Sequence, residues 1–313
     1  MKISVVIPSY NSAHCLPVAV ASVLAQTRKA DELIVVDDGS TDNVREVCES
    51  FGGAVKYIRR ENGGLSAARN TGVANASGDW FLFLDADDRL LPHALAVLEK
   101  TALSGNAGVV YGFVLQRWKT PYDSRIHSHP YAAGDPPKPA KDNFWWTSIS
   151  TAGCALISRE LNEKVGGFDE SFRQVEDSEY WLRCGVTASF AHCNDIVLDK
   201  TYSNSSLGHH VANSIWFRVQ LQLKFLMWCE HRGIDTAFLG ATPADIIDTA
   251  LVRISRERTW EILGPVLDQA RRIGVRTPRS IREHVRLSFL KGLGKVPPPP
   301  ALCREVYRDW HEK

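Results

Sequence analysis

In the first 115 residues, short unbroken apolar runs recur between longer stretches of helical spacing. Ile3 to Ile7, Glu32 to Val36, Val55 to Ile58, Trp80 to Leu84 and Gly108 to Leu115 read as strands. Runs this short and this apolar belong to strands covered on both faces. Between them, Ala13 to Gln26, a segment through Val47, Leu65 to Asn75 and His93 to Thr101 read as helices. The alternation predicts an α/β fold: a Rossmann-like, mainly parallel sheet with helices on both faces. Trp118 to Phe144 has little periodicity and is rich in Pro, Gly, Lys and Asp, which predicts a long loop. A strand at Ala152 to Ile157, a helix at Arg159 to Val165, a turn at Gly166 to Asp169 and a helix opening at Glu176 follow. Ser189 to His192 and Ile196 to Tyr202 read as two further strands. From Asn213 the alternation stops, and Ile215 to Cys229, Pro243 to Ile254, Trp260 to Ile273 and Ser280 to Leu293 all show helical spacing. The division expected is therefore an α/β domain over 1–212 and a C-terminal helical region over 213–313.

Composition narrows the setting. The formal net charge of +1 over 313 residues gives no global attraction to nucleic acid. The seven cysteines form no C-x-x-C pair, so reduced, buried thiols are expected rather than a zinc site or disulfide framework. The chain opens directly on a strand, with no signal peptide and no apolar run of about 18 residues or more. A cytoplasmic protein is expected. Contact with the inner face of a membrane would come through 271–295. There Arg279, Arg282 and Arg286 share one helical face, and Ile281, Val285, Phe289 and Leu293 form an apolar stripe. A solvated face on a packed helix, or a subunit interface, accounts for the same pattern.

The candidate chemistry lies where the strands stop. In open α/β sheets ligands bind at the carboxyl ends of the strands. Ser9-Tyr10, Asp37-Asp38 and Asp85-Ala86-Asp87 stand at three such ends and should line one cleft. Carboxylates at the end of a buried strand need a positive partner, and carboxylate oxygens suit hard divalent ions that also bind phosphates. A polar strand end, with Asp87 or Asp88 capping the next helix, is the alternative the residues leave open.

Val5 to Asn11, Val35 to Asp42, Asn62-Gly63-Gly64-Leu65-Ser66-Ala67-Ala68-Arg69-Asn70-Thr71-Gly72, Phe83 to Asp88, and Gly167-Phe168-Asp169-Glu170 with Glu176-Asp177 occur in that order. This series resembles family 2 glycosyltransferases with the GT-A fold, over roughly residues 1–205. The resemblance implies an inverting enzyme that moves a single sugar from a nucleotide-sugar, most often a UDP-sugar, to a hydroxyl acceptor, with Mn2+ or Mg2+ as cofactor. The acceptor would be a glycan or a lipid-linked molecule in surface polysaccharide or glycolipid biosynthesis. The nucleotide-sugar part would cover about 1–115 and the acceptor part about 116–212. Pro8, Ser9 and Tyr10 would lie beside the base and ribose, Asp38 would accept from the uracil N–H, and Arg69 would sit near the base and diphosphate. Asp85, with Ala86, would contact ribose or sugar, and Asp87 would bind the metal. His209 is a further candidate ligand. Gly153, beside Cys154, would face the donor sugar. Asp177 would be the general base and Glu176 would orient the acceptor; acids favoured in a first helical turn are the bland reading of both. Trp145 and Trp146 offer faces for a sugar or pack the long loop. A non-catalytic protein of the same fold that only binds nucleotide-sugar or glycan is the alternative; it would be expected to lack Asp87 or Asp177.

Overall fold

The computed structural model describes residues 1–117, 124–127, 149, 151–201, 211–237 and 242–275. They fall into two compact units, one ending at Thr201 and the other beginning at Val211.

The first unit is built on one mixed sheet. Its strands are β1 (Ile3–Ser9), β2 (Glu32–Asp37), β3 (Lys56–Arg59), β4 (Trp80–Phe83), β5 (Arg89–Leu90), β6 (Val109–Arg117), β7 (Ser124–His127), β8 (Ala155–Ser158) and β9 (Phe190–Thr201). They run in the order β3-β2-β1-β4-β8-β6-β9-β5, with β7 paired to β6. The half from β3 to β4 is wholly parallel, and the connections between its strands carry α1 (Leu16–Leu24), α2 (Val44–Ser50) and α3 (Leu65–Ala74). The expected parallel pattern holds there because every β1 residue is buried, so the strand needs a layer on each face. Beyond β4 the directions mix. β8 is antiparallel to both β4 and β6, whereas β9 runs parallel to β6. The two strands expected at 189–202 are one strand, β9. Asn194-Asp195 breaks its apolar pattern where the pairing slips, between Tyr111↔His192 and Phe113↔Ile196.

Two contacts set the spacing around the carboxyl ends of the parallel strands. Gly72 of α3 lies against β1 so closely that a Cβ there would stand 2.3 Å from Val6 Cγ1. Asn70 reaches from α3 to the turn at Phe168, accepting from its N–H at 2.9 Å and donating to its carbonyl at 2.9 Å. Phe168 then packs edge-on to Phe83 of β4 and stacks on Tyr180. Tyr180 belongs to α6 (Glu176–Gly185), which follows α4 (Ala94–Leu103) and α5 (Arg159–Val165) in the chain. Buried Arg183 of α6 pairs with Glu179 at 2.7 Å and donates to the carbonyls of Val165 and Gly167. The turn and the start of α6 are thus fixed to the end of β4.

The second unit consists of α7 (Val211–His231), α8 (Pro243–Glu257) and α9 (Leu263–Arg272). α8 opens on a capping box between Thr242 and Asp245 and buries Ile246, Ile247, Ala250, Leu251 and Ile254 along one face. Among the described residues no helix is long and apolar enough to cross a membrane. The basic stripe expected over 271–295 lies outside the described residues beyond Val275. The described cysteines are all free thiols, Cys15 alone of them not buried.

Candidate active site

The ends of β1 and β2 are laced together by their own loops. Asn11 adopts a left-handed backbone (φ 49°), which asparagine tolerates. Its Oδ1 accepts from Thr41 N–H at 2.8 Å, and its N–H donates to Ser40 Oγ at 3.0 Å. Pro8 and Ser9 are buried, with Ser9 Oγ 2.6 Å from Ser12 Oγ, whereas Tyr10 is 54% exposed. Its ring is available at the rim of the site.

Asp37 and Asp38 are neighbours with separate tasks. Asp37 accepts from Tyr57 Oη at 2.6 Å, Arg59 at 2.9 Å and Ser40 N–H at 2.8 Å. Burial raises its pKa, but these bonds outweigh it and hold the carboxyl below the usual range. Asp38 accepts from Gly63 N–H at 3.0 Å, Gly64 N–H at 2.7 Å and Arg60 at 3.0 Å. It anchors the glycine turn that opens α3, where Gly64 has φ 92°. A base N–H reaching Asp38 would share an oxygen or displace Arg60.

At the end of β4, Asp85, Asp87 and Asp88 bring carboxylate oxygens within 4.8 Å of one another. Asp85 Oδ1 accepts from Arg69 at 2.9 Å, and its Oδ2 lies 3.3 Å from Lys200 Nζ. Asp88 Oδ2 accepts from Lys200 at 2.8 Å, while its buried Oδ1 has no partner. Asp87 is exposed, and Ala86 between them is buried. Burial pushes Asp88 up to about 8 against the pull of Lys200. Burial also opposes the Lys200 ammonium, but Asp85 and Asp88 hold its pKa above the ordinary value. The donor set is all-oxygen, one buried oxygen is orphaned and one carboxylate faces outward, so the cluster suits a hard divalent ion.

Arg69 joins this cluster to α6. It is 1% exposed, its ring neighbour is Phe168 at 5.0 Å, and its second terminal nitrogen donates to Glu176 Oε1 at 3.0 Å. Each terminal nitrogen of the guanidinium thus donates to a carboxylate, while its buried Nε has no hydrogen-bond partner. Arg69, expected near the base and diphosphate, and Glu176, expected beside the acceptor, are here an ion pair with each other. Asp177 follows on the first turn, where Ser178 N–H donates to it at 2.6 Å. Burial and then the Glu176 charge push its carboxyl up to about 6. Just before this pair, Val175 has φ 58°, a left-handed conformation rare for a β-branched residue.

Gly153 is buried, and a Cβ there would meet Leu198 Cδ1 at 3.2 Å and Leu84 Cδ1 at 3.5 Å. A larger side chain there would press on those leucines. Trp145, Trp146 and His209 lie outside the described residues. Lys200 is the site residue that sequence reasoning missed. Its one signal is a charged pair, Asp199-Lys200, inside a run that otherwise reads as strand.

The family model described as "Glycosyl transferase family 2" matches residues 4–166. An uncharacterized glycosyltransferase of Rickettsia typhi is 34% identical over 223 residues, covering 68% of each chain. Glycosyltransferase GlyA of Streptococcus pneumoniae is 40% identical over 114 residues, 36% of this chain and 16% of that one. Crystal structures of S. aureus TarS superpose with a TM-score of 0.56 for the complex with UDP and 0.57 for that with UDP-GlcNAc. Each is 18% identical, and the match covers 84% or 83% of this chain and 73% of the TarS 1-349 chain in those structures.

Proposed function

The chain belongs to glycosyl transferase family 2, and from that premise we propose that it transfers a single sugar from a nucleotide-sugar, a UDP-sugar first, to a hydroxyl acceptor with inversion. The acceptor is a glycan or a lipid-linked molecule of surface polysaccharide or glycolipid synthesis. One observation carries the reading. A carboxylate with its pKa raised to about 6, Asp177, is joined by neighbouring Glu176 and Arg69 to the acidic cluster at the end of β4. A carboxylate of raised pKa and an acidic cluster in one arrangement would serve a displacement at an anomeric carbon, the first taking a proton and the second holding a cation beside the leaving group. The TarS structures, which contain UDP and UDP-GlcNAc, support a uridine donor by likeness of fold.

In the reaction, the acceptor oxygen forms its bond to the anomeric carbon as the bond to the diphosphate oxygen breaks. The diphosphate leaves with the electron pair, and Asp177 takes the acceptor's hydroxyl proton. Asp87, with Asp85 and Asp88, would hold a divalent ion, whose chemistry when bound is to neutralise charge on the leaving diphosphate. Arg69 keeps Glu176 and Asp85 in place, and Glu176 raises the basicity of its neighbour. Tyr10 offers an exposed ring face for the base.

The test is a thermal-shift panel of UDP, dTDP, GDP and their sugars, with and without Mn2+. UDP compounds should stabilise the protein, and Asp87→Ala should abolish the metal-dependent part. Asp177→Asn should keep donor binding and lose turnover. If no nucleotide shifts either protein, the donor assignment fails; full turnover by Asp177→Asn removes the base assignment.

A further inference from the structure

The acidic cluster is partly neutralised by the protein itself. Asp85 gives one oxygen to Arg69 and the other to Lys200, and Asp88 gives Oδ2 to Lys200. What remains for an incoming cation is the exposed Asp87 carboxylate and the buried, unpartnered Asp88 Oδ1. Two protein cations already stand against the carboxylates an ion would use. A divalent ion arriving alone gains few oxygens and meets the repulsion of a fixed ammonium. A diphosphate supplies the missing oxygens and the missing negative charge together.

We propose that Lys200 is a positioning residue that cross-links Asp85 and Asp88 and makes divalent-ion binding at this cluster conditional on a diphosphate. The ion then enters with the donor and leaves with the nucleoside diphosphate, and Lys200 holds the carboxylates in register between turnovers. The inference rests on the proposed donor site, and it concerns the order of assembly rather than the reaction.

Three proteins test it: wild type, Lys200→Met and Lys200→Arg. Mn2+ binding is read from the free-ion signal in electron paramagnetic resonance, with no nucleotide and with UDP. Wild type should bind Mn2+ at least about tenfold more tightly with UDP than without it. Lys200→Met should bind Mn2+ alone at least about tenfold more tightly than wild type does, since one positive charge is removed from beside the carboxylates. Lys200→Arg keeps the charge and should restore the dependence on UDP. Should Lys200→Met fail to fold, Lys200→Gln removes the same charge with a polar side chain and carries the same expectation. Tight Mn2+ binding by wild type without nucleotide overturns the inference. So does a Lys200→Met protein with wild-type affinity for Mn2+ alone, even where UDP with Mn2+ binds both. If UDP and Mn2+ together bind neither protein, the donor-site reading falls, and this inference with it.

Discussion

Removing Arg69 tests the ion pairs that link the acidic cluster to the start of α6. The guanidinium is 1% exposed and donates at 2.9 Å to Asp85 and at 3.0 Å to Glu176, residues 16 and 107 positions away in sequence. Arg69→Met keeps the buried volume roughly apolar and leaves two carboxylates facing each other without their shared cation. Breaking a buried ion pair by deleting one partner costs about 3–5 kcal/mol. Lys200 still serves Asp85, so the Glu176 side bears most of the loss, and the lower end of that range, about 3 kcal/mol, is expected. For a unit of this size each kcal/mol moves Tm by roughly 2–4 °C, so a fall of about 6–12 °C is expected in calorimetry. A Glu176→Gln protein and the double variant complete a cycle, and the coupling between Arg69 and Glu176 should exceed about 1 kcal/mol. The loss of Arg69 also removes a charge that lowers the Asp177 pKa, so the acid limb of any pH–rate profile should move to higher pH in Arg69→Met. A Tm drop under about 2 °C with no coupling in the cycle would refute the clamp, because a solvated arginine behaves that way.

The role proposed for Asp177 predicts a pH dependence of turnover. A base must be deprotonated to act, so kcat should fall as pH drops through about 6 and level off above it. A profile flat from pH 5 to 8 in a step shown to be chemical would exclude Asp177 as that base. Val175→Gly should relieve the left-handed strain of about 1–2 kcal/mol per residue. Part of that returns as unfolded-chain entropy, and a net Tm rise of about 1–4 °C is expected; a fall would mean the valine side chain's packing outweighs its backbone. His192 lies between the rings of Tyr111 and Phe113, at 4.8 and 4.4 Å, and burial lowers its pKa. The unfolded chain therefore binds that proton first. Stability should be full above its ordinary value of 6.5 and decline as pH falls toward the folded-state value. Urea midpoints at pH 7.5 and 5 for wild type and His192→Phe check this, since the variant should lose that component.

How far the site could be read in advance depended on sequence distance. The parallel half was legible because β1, β2 and β4 are continuous apolar runs that stop at polar residues, and those residues do stand at one edge of the sheet. Partners were not legible where they come from strand pairings with no local signature. Lys200 reaches Asp88 from 112 positions away, through the place of β9 in the sheet, and a lysine in a strand carries no mark of that. The carboxylate that pairs with Arg69 could not be named because Glu176 lies beyond the long loop. The donors to Asp38 could not be named because two of them are backbone N–H groups of Gly63 and Gly64, which no side chain announces. The break within β9 misled for the opposite reason. A local polar dip was real, but it marks a bulge rather than an end.

The place of β4 in the sheet has a consequence for synthesis on the ribosome. β4 pairs in parallel with β1, already made, and antiparallel with β8, which emerges more than 70 positions later. A nascent chain can therefore complete β1 to β4, with Asp38 and the glycine turn in place, while Asp85 still lacks Lys200 and Arg69 still lacks Glu176. During that interval the acidic end of β4 is an uncompensated patch of charge. Asp177, the carboxylate proposed as the base, arrives in the same late segment as Lys200 and Glu176, so the two halves of the proposed site are completed together.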